Sequence, residues 1–398
     1  MRRRGMRMAK LGNRRTRSPP PATALASTVT SSSSSSSTNT KETASPYFLP
    51  ELIPLIASRL TSLEDFFALR AACRAYRARL PLSSSNLASQ GPLLLVHHKT
   101  SASEALFHVP LRRILRFRLP RAPVAHRPSS HSCFGRLFTP PSFNLTFFNS
   151  FGWCVAIRDI STTARPCCTQ LRICHLLTGE RARLPDLPKY VGGVLFSDDL
   201  VLAFTPTHRD IYYCRIGDAQ WQAAQIDEGY GLYSLMFVKG TLYALIYPNH
   251  RLAVVEFDNN SVVLSFLGDE LSAHTVPADS LAVSLAECNG EILLIIKTGL
   301  FRTGLYHVFQ WQSGDRKWTR IDSLGGCSLF FNSHEFVGCL GPDHPGVQRD
   351  CLYFTGNFGE WREYSLVYKT FHEIIADYPG RVVPKDFAPL AWVLPSIC

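Results

Sequence analysis

The feature that most constrains the fold of this chain is a repeat of short apolar strands separated by turns, which begins beyond residue 90. Stretches such as YSLMFVKGTLYALI (233–246) and SLAECNGEILLIIK (284–297) place a two-residue turn between two apolar runs, the pattern of a β-hairpin. One series of such turns recurs at steps of roughly 40–55 residues, and a second series lies between its members. Two hairpins in each repeat predict four-stranded units of the size of a β-propeller blade.

These turns place five units between residues 145 and 380. Strands at Leu93–His98, Ala105–Val109 and Ile114–Leu119 supply a sixth, and Ala391–Leu394 is predicted to be the terminal strand that closes the ring. We therefore predict an all-β propeller over residues 92–398 with six four-stranded blades, seven being the alternative. The first series of turns comprises Thr178-Gly179, Gly217-Asp218, Asn259-Asn260, Gly314-Asp315 and Tyr368-Lys369, and the second comprises Phe151-Gly152, Asp198-Asp199, Lys239-Gly240, Asn289-Gly290 and Arg349-Asp350.

A tryptophan stands three residues after the Gly-Asp turn in two of the units, as Trp221 and Trp318. Aromatic residues also line ligand surfaces, but a repeated position after a turn favours packing within the blade. Gly-Asp pairs supply backbone conformations that hairpins need, so we predict turn geometry rather than acid–base chemistry for them. The predicted structural propeller residues are Trp221, Trp318, Gly217, Asp218, Gly314 and Asp315.

Residues 46–82 have a helical pattern instead. Apolar residues recur at steps of three and four from Leu49 to Leu60, and again from Phe66 to Tyr76. Between the two runs, Ser62 followed by an acidic residue has the spacing of a capping box. This pattern predicts three short helices, which are too few to form a strong core alone. We therefore expect the module to pack against a partner. Residues 83–91 are the predicted linker to the propeller.

The formal net charge of +11 would point to a nucleic-acid partner if it were spread over the chain. Nine Lys or Arg residues and no acidic residue lie within residues 1–41, so the rest is nearly neutral and nucleic-acid binding is not predicted. Residues 1–45, with a proline triplet and seven consecutive serines, are predicted to be a disordered tail. Residues 1–41 of this tail, Arg-rich and without an acidic residue, also have the composition of a nuclear import signal or a transit peptide. No apolar run predicts a secretory signal or a membrane span.

The stretch FLPELIPLIASRLTSLEDFFALRAACRAYRARLP (48–81) resembles the F-box, a helical module that binds a Skp-type adaptor. The Leu-Pro pair is displaced by one residue from its usual place, and Tyr76 stands where the family has Trp. The alternative is that the same apolar stripe forms an intramolecular core. The resemblance implies that the adaptor is bound by Leu49, Pro50, Leu52, Ile56, Leu60, Cys73, Arg74 and Tyr76.

The C-terminal part resembles a large family of plant F-box proteins whose second domain is a KIB-type β-propeller of unknown function. The matching stretches include CHLLTGERARLPDLP (174–188), IYYCRIGDAQWQAA (211–224) and HVFQWQSGDRKWTRIDSLGGCSLFF (307–331), in the family's order. This resemblance implies a non-catalytic substrate receptor of an SCF-type ubiquitin ligase, in the nucleus or cytoplasm. The implied partners are the Skp-type adaptor, through it a cullin, and an unknown target protein held by the propeller.

Catalytic, cofactor and metal sites are not predicted from the sequence. The chain contains twelve cysteines but no Cys-x-x-Cys pair, and it lacks both a Gly-x-Ser-x-Gly elbow and a phosphate-binding loop. We accordingly expect no small-molecule ligand. Two alternative functions remain, namely an enzyme with an active site in the propeller channel, and an organelle-targeted propeller protein with a degenerate F-box.

Overall fold

The part of the chain that can be described lies within one compact unit, Tyr47–Cys398. The predicted tail of residues 1–45 and Pro50 lie outside the described residues. The computed structural model describes Leu49, Val191 and residues 51–83, 85–87, 89–98, 104–115, 144–147, 153–162, 165–175, 181–187, 193–197, 199–205, 208–258, 261–271, 280–299, 304–332, 335–344, 346–355, 361–373 and 387–395.

Three short helices precede the strands, as the helical spacing predicts: α1 (Leu52–Ala57), α2 (Leu63–Ala72) and α3 (Arg74–Arg79). Ser62 has the extended backbone of an N-cap before α2, but its side chain makes no capping hydrogen bond, so the predicted capping box is wrong. At α3 the thiol of Cys73 accepts a hydrogen bond from the backbone N–H of Tyr76 at 3.4 Å. Within the described part of the chain, no helix has the length and apolar character needed to cross a membrane.

The rest of the described chain is almost entirely β-structure. Its strands are β1 (Leu93–His98), β2 (Glu104–His108), β3 (Arg113–Ile114), β4 (Asn144–Phe147), β5 (Trp153–Thr162), β6 (Arg165–His175), β7 (Arg181–Arg183), β8 (Gly193–Ser197), β9 (Leu200–Phe204), β10 (Asp210–Arg215), β11 (Gln222–Gln225), β12 (Gly231–Val238), β13 (Thr241–Tyr247), β14 (Arg251–Asp258), β15 (Ser261–Phe266), β16 (Ser280–Cys288), β17 (Glu291–Thr298), β18 (Leu305–Gln312), β19 (Lys317–Ile321), β20 (Ser328–Asn332), β21 (Glu335–Leu340), β22 (Cys351–Thr355), β23 (Trp361–Ser365), β24 (Thr370–Glu373) and β25 (Phe387–Val393).

These strands form a propeller-like domain. Four-stranded sheets have the orders β25-β1-β2-β3, β4-β5-β6-β7 and β16-β17-β18-β19, while β8–β11 and β12–β15 are two meanders joined by one parallel pairing, Gln225 with Ser261. Edge strands of successive sheets contact each other. The contacting pairs are β8 with β12, β12 with β16, β16 with β21, and β25 with β4. Sheets that meet along one edge strand in this way are arranged like blades around an axis. The number of blades stays a prediction.

The first sheet contains strands from both ends of the propeller. Strand β25 pairs antiparallel with β1, placing Leu94 opposite Trp392, which confirms the predicted closing strand. Trp392 is 1% exposed, and its ring meets the rings of Phe330 at 5.0 Å and Tyr353 at 5.8 Å between centroids. This sheet is therefore joined to the last one by a buried aromatic cluster.

Three of the predicted two-residue turns, Phe151-Gly152, Thr178-Gly179 and Asn259-Asn260, lie outside the described residues, and of the others only some are present. Lys239 and Gly240 form one between β12 and β13, with φ of 50° and 80°, the left-handed pair of a type I′ hairpin. The predicted two-residue turn at Gly314-Asp315 is wrong, because residues 313–316 all lie between β18 and β19 and the left-handed residue is Arg316. The predicted Gly217-Asp218 turn is likewise part of a longer connection, residues 216–221.

The last sheet departs from the repeat. Its order is β21-β20-β22-β23-β24, and β22 runs parallel to β20, so the hairpin predicted at Arg349-Asp350 is wrong. The reason is a long connection, residues 341–350, which carries the chain from one side of β20 to the other. Asp350 anchors this loop, because its Oδ1 accepts hydrogen bonds from the Ser323 hydroxyl (2.9 Å) and from the backbone N–H groups of Leu324 (2.5 Å) and Gly326 (3.1 Å).

We expect Asp350→Ala to lower the free energy of unfolding by about 1–3 kcal/mol, because three donors lose one acceptor and Ala tolerates the φ of 54° poorly. Asp350→Asn keeps an acceptor oxygen and is expected to lose less. Urea denaturation measures both. The control is Asp343→Ala, which removes an exposed ion pair with Arg349 and is expected to change stability by less than about 0.5 kcal/mol. Equal losses at positions 343 and 350 would contradict the anchoring role.

The helices pack on the first sheet. A buried cluster joins Ile53 and Ala57 of α1, Leu63 and Phe66 of α2, and Tyr76 of α3 to residues of β1, β2 and β25. Such helices would bury little apolar surface alone, and the sheet supplies the missing core. The segment predicted as a linker, residues 83–91, is part of this packing. It contributes the buried Leu87 and side-chain hydrogen bonds from Ser89 to the Ser58 carbonyl and from Gln90 to the Leu60 carbonyl (2.5 Å).

Candidate functional site

A row of exposed leucines lies on and before the first helix. Leu49, Leu52 and Leu55 are 67%, 43% and 62% exposed and follow one another at three-residue steps, so they share one side of the helical segment. We call these three residues the leucine face. Ile53 and Ala57, on the opposite side, are 0% exposed. Grouped exposed apolar side chains mark protein-binding surfaces, because the free energy falls when a partner covers them and removes them from water.

The predicted adaptor-binding residues divide between surface and interior. Leu49 and Leu52 belong to the leucine face, and Arg74 is also exposed. Tyr76, by contrast, is 5% exposed and lies in the core between the helices and the first sheet. Ile56, Leu60 and Cys73 are half-buried, and Leu60 and Cys73 pack against that core. Of the described residues that were predicted to bind the adaptor, Leu49, Leu52 and Arg74 are therefore the ones that are largely exposed to a partner.

Leu55 was missed by the reasoning from sequence. Steps of three and four residues lead from Leu52 to Ile56 and pass over Leu55, which was not assigned a role. The available signal was the three-residue step from Leu52, which puts Leu55 on the same side as Leu49. Its 62% exposure shows that this side faces solvent.

The surroundings of the leucine face are held rigidly. The carbonyls of Ser58 and Leu60, just after α1, accept hydrogen bonds from residues 89 and 90. His108 of β2 bonds through Nε2 to the Thr61 carbonyl at 2.8 Å, and burial lowers the pKa of this histidine. Arg113, after β2, forms an ion pair with Glu64 of α2 at 2.6 Å. Because these contacts join the helical segment to the sheet, the leucine face has a fixed position on the domain.

The first predicted propeller group lies in the connection between β10 and β11. Gly217 has a φ of 105°, which favours glycine, and Asp218 Oδ2 accepts the Arg215 backbone N–H at 2.7 Å. Trp221 donates its indole N–H to the Pro185 carbonyl at 2.8 Å and packs against the buried cluster shared by β6 and β8–β10.

In the second group, Asp315 forms an exposed ion pair with Lys317 at 3.0 Å. The ring of Trp318 meets that of Trp311 edge to face at 5.2 Å. Gly314 has no left-handed φ and no atom within 4 Å of where a Cβ would stand, so the structure shows no need for glycine at this position.

A small cavity between β17, β18 and the last sheet bears on the alternative of an enzyme. Its volume is about 10 Å³, room for roughly one water molecule. Lys297 and Tyr306 line it, and burial, with a smaller effect from Arg362, lowers the pKa of Lys297. A cavity of this size does not admit an organic substrate, so it offers no support to the enzyme alternative.

The comparison with protein families concerns the β-domain. The model of the KIB1-4 β-propeller family matches residues 106–374, about two thirds of the 398-residue chain. The chain belongs to the KIB1-4 β-propeller family. No curated protein matches the sequence. The KIB1-4 match begins inside β2 and ends before β25, so the closing strand and the three helices lie outside it although they pack on its first sheet.

Several solved structures resemble this KIB1-4 protein weakly. An oligogalacturonate lyase in complex with manganese has 12% identity and a TM-score of 0.33, over 44% of this chain and 52% of that one. A quinonprotein alcohol dehydrogenase-like protein of Bacteroides thetaiotaomicron has 9% identity and a TM-score of 0.35, over 74% and 63%. The Swd1 β-propeller domain of Myceliophteria thermophila has 8% identity and a TM-score of 0.36, over 71% and 82%. At these scores, the likeness carries no argument about function.

Proposed function

We propose that this KIB1-4 protein is the substrate-recognition subunit of an SCF-type ubiquitin ligase. In this proposal residues 46–82 are an F-box that docks on a Skp-type adaptor, the propeller binds the target protein, and partner subunits perform ubiquitin transfer in the nucleus or cytoplasm. The observation that carries the proposal is the leucine face: within the F-box-like stretch, the apolar residues not used by the fold are exposed together.

The energy available from the leucine face fits a specific interaction. Burying a leucine side chain fully contributes about 1.5–3 kcal/mol, so three leucines exposed by about half contribute roughly 2–5 kcal/mol. A micromolar complex needs about 8 kcal/mol, so polar contacts must supply the rest. Arg74, Arg77 and Arg79 of α3 are exposed and suit an acidic adaptor surface.

The buried contacts between the helices and the first sheet support the other part of the proposal, in which the propeller holds the target near the catalytic subunits. A substrate receptor accelerates transfer by holding the target at a defined distance from the catalytic subunits, and a loose joint between adaptor and target would weaken that effect. The helices share a buried core with the first sheet, and residues 83–91 are packed rather than extended. An adaptor on the leucine face would thus be held in a fixed orientation to the propeller.

The double variant Leu52→Asp, Leu55→Asp tests the proposal. Two carboxylates in an apolar interface remain charged and desolvated, so we expect recovery of the adaptor and cullin with tagged protein to fall at least about tenfold. Leu305→Asp is the matched control, because Leu305 is 42% exposed, as Leu52 is 43% exposed, but lies on β18. Recovery of adaptor at the wild-type level with the double variant, in folded protein, would remove the F-box assignment.

A further inference from the structure

Three thiols that are far apart in the sequence meet where β16 and the last sheet come together. Cys288 is the last residue of β16, Cys327 immediately precedes β20, and Cys339 lies on β21. Their Sγ atoms all lie within 4.8 Å of one another, and those of Cys288 and Cys339 are 3.2 Å apart. Cys288 and Cys327 are buried, and Cys339 is half-buried.

We propose that Cys288, Cys327 and Cys339 form a binding site for Zn²⁺, a thiophilic d¹⁰ cation. Zinc bonds to cysteine sulfur at about 2.3 Å, so sulfurs in its tetrahedral shell stand roughly 3.8 Å apart. The Cys288–Cys339 separation of 3.2 Å is below that value and no separation exceeds 4.8 Å, so shifts of at most about 1 Å would bring the sulfurs to it. Soft thiolates favour zinc over the hard cations magnesium and calcium. A water molecule would take the fourth position.

The loop that carries Cys327 is held in place independently of the thiols. Asp350 fixes residues 323–326 through its carboxylate, and its own N–H donates to the Cys327 carbonyl at 3.1 Å. The side-chain amide of Asn289 donates to Cys327 Sγ at 3.5 Å. Cys327 thus lies in an anchored loop, and Cys288 and Cys339 lie on strands, which lowers the cost of organising the site.

The charge around the cluster favours a cation. The carboxylates of Glu287 and Asp350 both act electrostatically on Cys288. These two carboxylates make the surroundings of the cluster negative, which a bound cation would neutralise.

Binding exchanges protons for the metal without any redox change. Three S–H bonds break, three Zn–S bonds form, and three protons pass to solvent. Because protons compete with zinc for the three sulfurs, we expect the affinity to increase as the pH rises towards the ordinary pKa of a thiol. A site of exposed carboxylates or histidines would lose this dependence above about pH 7.

The experiment uses full-length protein loaded with zinc and freed of excess metal. We expect one zinc per chain, and zinc-edge X-ray absorption is expected to count three sulfur ligands, a result that needs no variant. Replacement by Co²⁺ is expected to produce sulfur-to-cobalt charge-transfer bands. Cys288→Ser, Cys327→Ser and Cys339→Ser should each weaken zinc binding by at least about 100-fold.

Cys214→Ser is the matched control, because Cys214 is a buried free thiol of β10 in a different core cluster, and it should bind zinc as the wild type does. Three results would each overturn the proposal: fewer than two sulfurs around the zinc, equal zinc binding by the cluster variants, or no zinc bound by protein whose three cluster thiols are reduced. The last result would make the cluster ordinary apolar packing of cysteine.

Discussion

Replacing Phe66 by alanine is expected to lower the free energy of unfolding by about 3–5 kcal/mol, the usual cost of removing a buried phenyl ring. Phe66 of α2 is 0% exposed and belongs to the cluster that joins the helices to β1, β2 and β25. A single domain has about 5–15 kcal/mol of stability in total, so the loss is a large part of it. Urea unfolding followed by tryptophan fluorescence measures this change.

The neighbouring residue supplies the control. Phe67 touches the ring of Phe66 edge to face, 5.7 Å between centroids, but it is only partly buried at the margin of the cluster. Phe67→Ala should therefore cost about 1–2 kcal/mol. Because the helices share their core with the sheet, Phe66→Ala should also make the segment after α1 more accessible to proteases. Similar losses for the two variants would contradict a shared core.

Trp392→Ala is expected to have an effect of the same size at the closing strand, about 3–5 kcal/mol. The ring of Trp392 fills the space between β1, β25 and the last sheet, where it meets Phe330 and Tyr353. Its backbone N–H also donates to Asn332 Oδ1 at 2.7 Å, a bond that the substitution leaves in place. Differential scanning calorimetry would record the loss as a lower transition temperature.

Trp392→Phe tests whether stability depends on the buried volume at this position or on the indole ring itself. Phenylalanine keeps most of the buried area, so this variant should lose clearly less, about 1–2 kcal/mol. Trp221→Phe is a second control, since Trp221 is only partly buried and its loss removes one hydrogen bond to the Pro185 carbonyl. If Trp392→Ala lowered the free energy of unfolding no more than Trp221→Phe does, the packing of β25 would not stabilise the propeller.

Local chemistry explains which parts of the fold were predictable. The Lys239-Gly240 turn was predicted correctly, because two left-handed residues between apolar strands specify a hairpin wherever they occur. The parallel pairing of β20 with β22 was not, because residues 341–350 contain no signal for which side of β20 the chain will reach. Strand pairing between distant segments depends on the whole sheet rather than on any turn.

The candidate site shows the same division. Helical spacing identified the apolar residues of α1, but it did not tell which would be covered, because Ile53 and Ala57 are buried by a sheet whose strands begin at residue 93. Tyr76 was predicted to contact the adaptor and lies in that shared core, so its role in binding stays a prediction. The thiol cluster had no signal in the sequence, since steps of 39 and 12 residues separate Cys288, Cys327 and Cys339 and do not match the close spacing of a metal-binding motif.

The pairing of β1 with β25 also has a consequence for synthesis on the ribosome. The helices emerge early, but the sheet on which they pack needs β25, which is translated almost 300 residues after β1. At about 5–20 residues per second, that delay is roughly 15–60 s. During this delay the sheet on which the three helices pack lacks β25. A nascent or prematurely terminated chain therefore cannot present the leucine face in its final orientation. Under the proposed function, adaptor docking in that orientation would require a chain in which β25 is already paired with β1.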